Sequence, residues 1–152
     1  MKKSIAVLAG VVAILAGAEL EITSQQFRFD PTKNISTFTG QVKAVQGKDY
    51  IYCHQLTIYL NKKRKPVKYV ASGNVKFRIT LDPQDIYTGS GQKLIYKIPT
   101  GEIVLEGNGT IVNQVTGNRV SGDLIQLNRF SKKAVVKSAG NKPVKMVIKV
   151  EE

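Results

Sequence analysis

From Pro66 to Asp82 the chain alternates without a break: Val67, Tyr69, Ala71, Gly73, Val75, Phe77, Ile79 and Leu81 take every second position, with mostly polar or basic residues between them. A period of two puts alternate side chains on opposite faces of an extended chain. Fully extended at about 3.3 Å per residue, the run would reach roughly 50 Å, well beyond the five or six residues of an ordinary strand. A chain with such a segment must form a long sheet with one greasy face, and that face needs a cover. The glycine at the centre predicts two shorter strands joined smoothly at Gly73, because a residue without Cβ permits a bulge or a close backbone approach.

That glycine recurs. Phe38-Thr39-Gly40-Gln41-Val42, Ala71-Ser72-Gly73-Asn74-Val75, Leu105-Glu106-Gly107-Asn108-Gly109 and Ser138-Ala139-Gly140-Asn141 place their glycines 33, 34 and 33 residues apart. The half-units Phe27 to Gly40 and Leu94 to Gly107 also match, each with an apolar pair, a Pro-Thr turn and an isoleucine. A period of this length marks serially wound supersecondary units, here repeats of about 33 residues. Turn-forming clusters separate the strands: Asp30 to Asn34, Asn61 to Pro66, Pro99 to Gly101, Thr116 to Asn118 and Asn128 to Lys133. Tyr50, Tyr52, His54, Leu56, Ile58 and Leu60 are expected to share one strand face, and Val144, Met146, Ile148 and Val150 another. No segment after Ala18 has helical periodicity. The expected fold is all-β: a dozen or more antiparallel strands in a folded-over sheet, a partly open β-jelly roll whose apolar face closes on itself.

The N-terminus reads as an address. Lys2 and Lys3 precede the uncharged run Ser4 to Ala18, which ends in Ala16-Gly17-Ala18. This predicts a secretory signal peptide over residues 1–18, cleaved before Glu19, and one domain over residues 19–152. The run is short of the roughly 20 residues that a spanning helix needs. The formal net charge of +12 favours an anionic partner, and export argues against nucleic acid. Cys53 is the only cysteine, so no intrachain disulfide forms.

Chemistry finds little material. His54 is the only histidine, so no histidine cluster exists for a metal, and Cys53 and His54 point to opposite faces of a strand, out of reach as a nucleophile pair. Gly89-Ser90-Gly91 has no following helix to hold a phosphate. Asp82 and Asp85 flank Pro83 in a turn and read as solvated. No enzyme activity, cofactor or metal is expected. The C-terminal stretch from Asn141 to Glu152 is lysine-dotted yet strand-competent, a candidate edge for strand addition.

The order of Phe38 to Val42, Tyr50 to Tyr59, Val67 to Val75, Gly91 to Gly107, Val120 to Asn128 and Ala134 to Gly140 resembles the OstA-like family, and within it the periplasmic lipopolysaccharide-transport bridge proteins. The resemblance covers nearly all of residues 22–140. It implies an interior groove that carries the acyl chains of lipopolysaccharide (lipid A), members docked head to tail as homo-oligomers, and inner-membrane and outer-membrane transport proteins as partners in the periplasm. Carried over residue by residue, it points to a groove lined by Phe38, Val42, Tyr52, Leu56, Ile58, Val67, Tyr69, Val75, Phe77, Ile79, Leu94, Tyr96, Ile103, Leu105 and Ile111. Phosphates and core sugars would lie near Lys43, Lys68, Lys76 and Arg78. The rival reading from another class is a structural or polysaccharide-binding β-protein that assembles through its edges around a filled interior.

Overall fold

A computed structural model describes residues 19–140 and 142–150. The expected signal segment and Asn141 lie outside them. Ten strands make one antiparallel sheet: β1 (Leu20–Thr23), β2 (Gln26–Asp30), β3 (Ile35–Gln46), β4 (Asp49–Leu60), β5 (Pro66–Asp82), β6 (Asp85–Lys97), β7 (Glu102–Asn113), β8 (Arg119–Asn128), β9 (Ala134–Lys137) and β10 (Lys145–Val147). There is no helix among the described residues, and none long and apolar enough to cross a membrane.

The sheet is a meander from β3 to β8, and its two outermost long strands are each edged by two short ones. β1 pairs with the second half of β3 and β2 with the first half; β10 pairs with the first half of β8 and β9 with the second. The anchor glycines explain the break between the short strands. Gly40, Gly73 and Gly107 adopt φ of 88°, 84° and 82°, and the residues after them, Gln41, Asn74 and Asn108, adopt 47°, 48° and 49°. At each pair the ladder register shifts: Gly40-Gln41 stands against His54, Gly73-Asn74 against Gln92, and Gly107-Asn108 against Asp123. These are bulges, in which two residues oppose one and the strand bends. Side by side on β3, β5 and β7 they crease the sheet into two halves. Ten strands stand where a dozen were expected because the ladder runs through the crease, so Pro66–Asp82 is one bent strand.

The first half carries an interior row of paired residues: Phe27, Phe38, Leu56, Ala71, Leu94, Leu105, Ile125 and Val136. The second half carries Ile22, Ala44, Ile51, Phe77, Gly89, Ile111 and Val120, with the exposed Met146 at the end of the row. Across the crease, glycines make room for the facing side chains. A Cβ on Gly109 would meet Ile125 at 3.1 Å, and a Cβ on Gly91 or Gly122 would overlap Leu105 or Val136.

The turns follow the expected chemistry. Asp30, Asn61, Asn113 and Asn128 each close one by accepting backbone N–H bonds with Oδ1, as Asn128 does from Phe130 and Ser131 at 2.9 and 3.0 Å. Such side chains mimic a turn of backbone and hold the next strand in register. Lys132, in the turn after β8, reaches Asp82 and Asp85 in the turn after β5, at 2.6 and 3.9 Å. It is the one cation among the described residues to tie the free lips of the two halves together.

Candidate functional site: an apolar cavity between the half-sheets

Between the halves lies a cavity of about 520 Å³. Leu56, Ile58, Tyr69, Leu94, Tyr96 and Ile103 line it from the first half; Ala44, Ile51, Ile79 and Leu81 line it from the second, and Leu20 from β1 closes one side. The volume falls within the range of roughly 300–1,000 Å³ usual for small-molecule sites. The wall is apolar because the same alternation that builds the core continues past it. Ile58 is 0% exposed and Leu94 2%, while Ile79, Leu81 and Tyr96 are only half-buried, packed against the core at the opening.

Of the fifteen apolar residues singled out from the sequence, Leu56, Ile58, Tyr69, Ile79, Leu94, Tyr96 and Ile103 come together on this wall. Phe38, Val42, Val75, Phe77, Leu105 and Ile111 are buried in the core that supports it. Val67 lies elsewhere, in a shallow depression with Tyr59, Lys68 and Pro99. Tyr52 is 38% exposed and turned away from the interior, its ring stacked on Tyr50 at 4.6 Å. The expectation that Tyr50, Tyr52 and His54 share a face with Leu56 is therefore corrected. Where β4 crosses the crease, the buried positions step from Cys53 to Leu56, three residues on, and parity reverses. The same three-residue step takes β6 from Gly91 to Leu94.

The four basic residues do not converge. Lys43 and Lys76 flank Tyr52 across β3, β4 and β5 on the outer face. Lys68 lies on the first half with its Nζ 4.4 Å from the Tyr59 ring centroid. Arg78 is the one of the four that lines the cavity; it donates to Asp49 at 2.9 Å, and Asp49 also accepts from the Thr80 N–H and hydroxyl. The cation that sequence reasoning missed is Arg129. It lies in the turn after β8 and lines the cavity, donating to the Tyr96 hydroxyl at 2.8 Å. The cluster Asn128 to Lys133 announced a turn, and only the folding over of the sheet brings that turn to the opening.

Polar groups inside are few. Burial pushes the Cys53 thiol up to about 11, against weaker opposing hydrogen bonds with the Ser72 and Gln55 backbone, so it stays a neutral, inert core group. Burial likewise pushes the Tyr69 hydroxyl up to about 12, with Tyr96 adding to the effect; the group remains protonated through any physiological pH. No cluster of three or more metal-ligating side chains occurs among the described residues. The arrangement can enclose a hydrocarbon chain and meet an anionic or hydroxylated head at its opening.

Residues 21–133 match the family described as the LptA/(LptD N-terminal domain) LPS transport protein. No curated protein matches by sequence. Among solved structures, the chain is similar to LptH from Pseudomonas aeruginosa, the LptA-homologous periplasmic component of the conserved lipopolysaccharide transport device. The TM-score is 0.74 at 16% identity, over 86% of this chain and 95% of that one; at that identity the likeness speaks for the fold. With most of its length matched, this chain belongs to the LptA/LptD N-terminal domain family of lipopolysaccharide-transport proteins.

Proposed function

We propose that the protein is a periplasmic carrier of lipopolysaccharide, exported by residues 1–18 and holding the acyl chains in the cavity between its half-sheets. The observation that carries the reading is the apolar cavity itself, open at one lip, in a chain of this family. Apolar burial supplies the attraction, at about 25 cal/mol per Å² removed from water. The phosphates and sugars stay outside, where Arg129 stands at the opening and Lys43 and Lys76 mark the outer face. No residue is asked to do chemistry: cargo passes along, and the energy comes from elsewhere in the transport path.

The decisive experiment is to isolate residues 19–152 from a Gram-negative periplasm and identify bound lipid by native mass spectrometry and extraction. Lipid A-containing species are expected in preference to phospholipid. A lipid-free protein that also refuses added lipopolysaccharide would overturn the carrier and favour the edge-assembling structural module.

The reading extends to partners. The sheet ends in β1 and β2 on one side and β9 and β10 on the other, each with an outer edge unpaired among the described residues, and strand addition at such edges is a recurrent docking mode. Val144, Met146, Ile148 and Val150 stand exposed beside the second edge, Met146 at 60% and Val150 at 79%. A bridge of copies docked head to tail, with inner- and outer-membrane transport proteins at its two ends, would use both edges. Sedimentation is expected to show concentration-dependent association that is lost on deleting residues 141–152. A species that stays monomeric at all concentrations, with or without the deletion, would refute the docking.

A further inference from the structure

Four turns make the lip of the first half, β2–β3, β4–β5, β6–β7 and β8–β9, and three make that of the second, β3–β4, β5–β6 and β7–β8. Charge is divided unequally between them. The connecting residues of the first lip include Lys33, the cationic run from Lys62 to Lys65, Arg129, Lys132 and Lys133, and no carboxylate. Those of the second include Lys48 alone, with Asp49, Asp82, Asp85 and Arg119 at the adjoining strand ends. The carboxylates beside the first lip are engaged: Asp30 closes its own turn, and Glu102 pairs with Lys97 at 3.3 Å. Apart from Lys132, clasped by Asp82 and Asp85, the cations of this lip have no carboxylate partner among the described residues.

These charges stand on fixed backbone. Asn61 Oδ1 accepts the N–H groups of Lys63 and Lys65 at 2.8 and 3.1 Å, so the turn that carries Lys62, Lys63, Arg64 and Lys65 holds all four exposed. Phe130 stands on the same lip, about 20 Å away at roughly 4.8 Å per strand, and is 63% exposed. It cannot retreat inward. Asn128 holds its N–H, the Arg129 N–H donates to the Gly101 carbonyl at 2.8 Å, and one side of the ring lies on Gly101, where a Cβ would stand 2.7 Å from it. The cavity reaches this rim, since Ile98 and Arg129 belong to its wall, as do Thr80 and Leu81 of the facing lip.

We propose that the lip of the first half docks on a bilayer whose surface carries anionic head groups, with Phe130 entering the head-group layer. Solubility alone would be served by cations spread over both lips; gathered on one, they make a directed field that orients the molecule toward a negative surface. An exposed aromatic ring fixed among cations suits a head-group layer, where the ring is taken out of water while the charges stay in it. An acidic protein or a polysaccharide would meet the charges and leave the ring unanswered. The inference goes beyond the carrier reading. Where that reading holds, docking sets the cavity rim against the bilayer, and a chain moves between them with little exposure to water.

Flotation of the protein, isolated as above, with vesicles of phosphatidylcholine alone and of phosphatidylcholine mixed two to one with phosphatidylglycerol tests this. Binding is expected to the mixed vesicles only, and to weaken steeply with salt. Replacing Lys62, Lys63 and Lys65 together by Gln should weaken it roughly thirtyfold or more, at about fivefold per cation near the surface. Phe130→Ala, which removes no charge, should cost about three- to tenfold with the melting temperature unchanged. Replacing Lys93, Arg119 and Lys137 by Gln, the same charge taken from exposed strand positions, should change binding by less than about threefold. Equal losses from the two triple variants would assign binding to net charge and overturn the inference, as would no binding to either vesicle. Binding to polyglutamate as tight as to the mixed vesicles, with Phe130→Ala indifferent, would overturn it in favour of an acidic protein. The vesicles hold no lipopolysaccharide, so each of these failures leaves the carrier reading standing. A protein that is free of lipid, refuses lipopolysaccharide and still docks by this lip would keep the inference and strike the carrier.

Discussion

Ile58→Asp is expected to prevent folding, while Ile79→Asp leaves the fold intact and removes acyl binding. Both side chains line the same cavity, and the difference lies in what surrounds them. Ile58 is 0% exposed, in the row between Ser36 and Tyr69. A carboxylate there takes the place of a fully buried apolar side chain and loses its hydration, a loss on the order of 4 kcal/mol or more. That is a large share of the roughly 5–15 kcal/mol of a typical domain. Ile79 sits half-buried at the opening, where an aspartate turns its head to solvent in the empty protein and is forced against hydrocarbon only when a chain enters. The penalty then falls on binding, about 1–3 kcal/mol, or roughly tenfold or more in affinity. Lys68→Ala is the contrast: its ammonium rests on the Tyr59 ring outside the cavity, and binding should stay within about twofold. Circular dichroism and lipopolysaccharide binding on the three variants decide it. A folded Ile58→Asp, or an Ile79→Asp that binds as the parent does, would contradict the assignment of this wall.

How far the wall could be read from sequence depends on which strand is asked. On β5, alternation from Val67 to Leu81 predicted the inward set well, since Tyr69, Ala71, Val75 and Phe77 are all buried. The reason is that the bulge at Gly73-Asn74 leaves parity unchanged: Ala71 and Val75 face inward four residues apart. On β4 the same rule failed at Tyr52, because that strand crosses the crease with a three-residue step. Nothing local to β4 encodes the step; it is imposed by the bulged neighbours on either side. The turns were legible because Asp30, Asn61 and Asn128 act on their own next few residues. Arg129 was not legible as a cavity residue, because its place at the opening depends on two half-sheets meeting, which no short-range pattern specifies. The hydroxyls of Ser36 and Tyr69, buried without a hydrogen-bond partner among the described residues, were invisible for the same reason: alternation says which way a side chain points, not whether its polar atom finds a partner.

The crease makes the second prediction with a large effect. Gly73→Ala is expected to cost about 2–4 kcal/mol, and to lower the melting temperature by about 10 °C. Two effects add. Gly73 sits at φ +84°, a region that strains any residue with a Cβ. The added carbon would also lie 2.7 Å from the Cβ of His54 on the neighbouring strand. That atom is fixed to the β4 backbone and cannot swing aside, so the strands must part where three bulges are aligned. Gly140 separates the two, having φ +119° but no atom within 4 Å of where a Cβ would stand; Gly140→Ala should cost only the dihedral part, about 1 kcal/mol. The contact part is isolated by the pair Gly73→Ala and His54→Gly. If Cβ–Cβ overlap drives the loss, the double variant is more stable than the sum of the singles predicts, by about 1 kcal/mol or more. Strict additivity would assign the whole cost to the backbone angle. An unchanged melting point for Gly73→Ala would show that β5 passes the crease by some geometry other than a glycine-headed bulge, and the recurrent spacing of these glycines would then need a different physical cause.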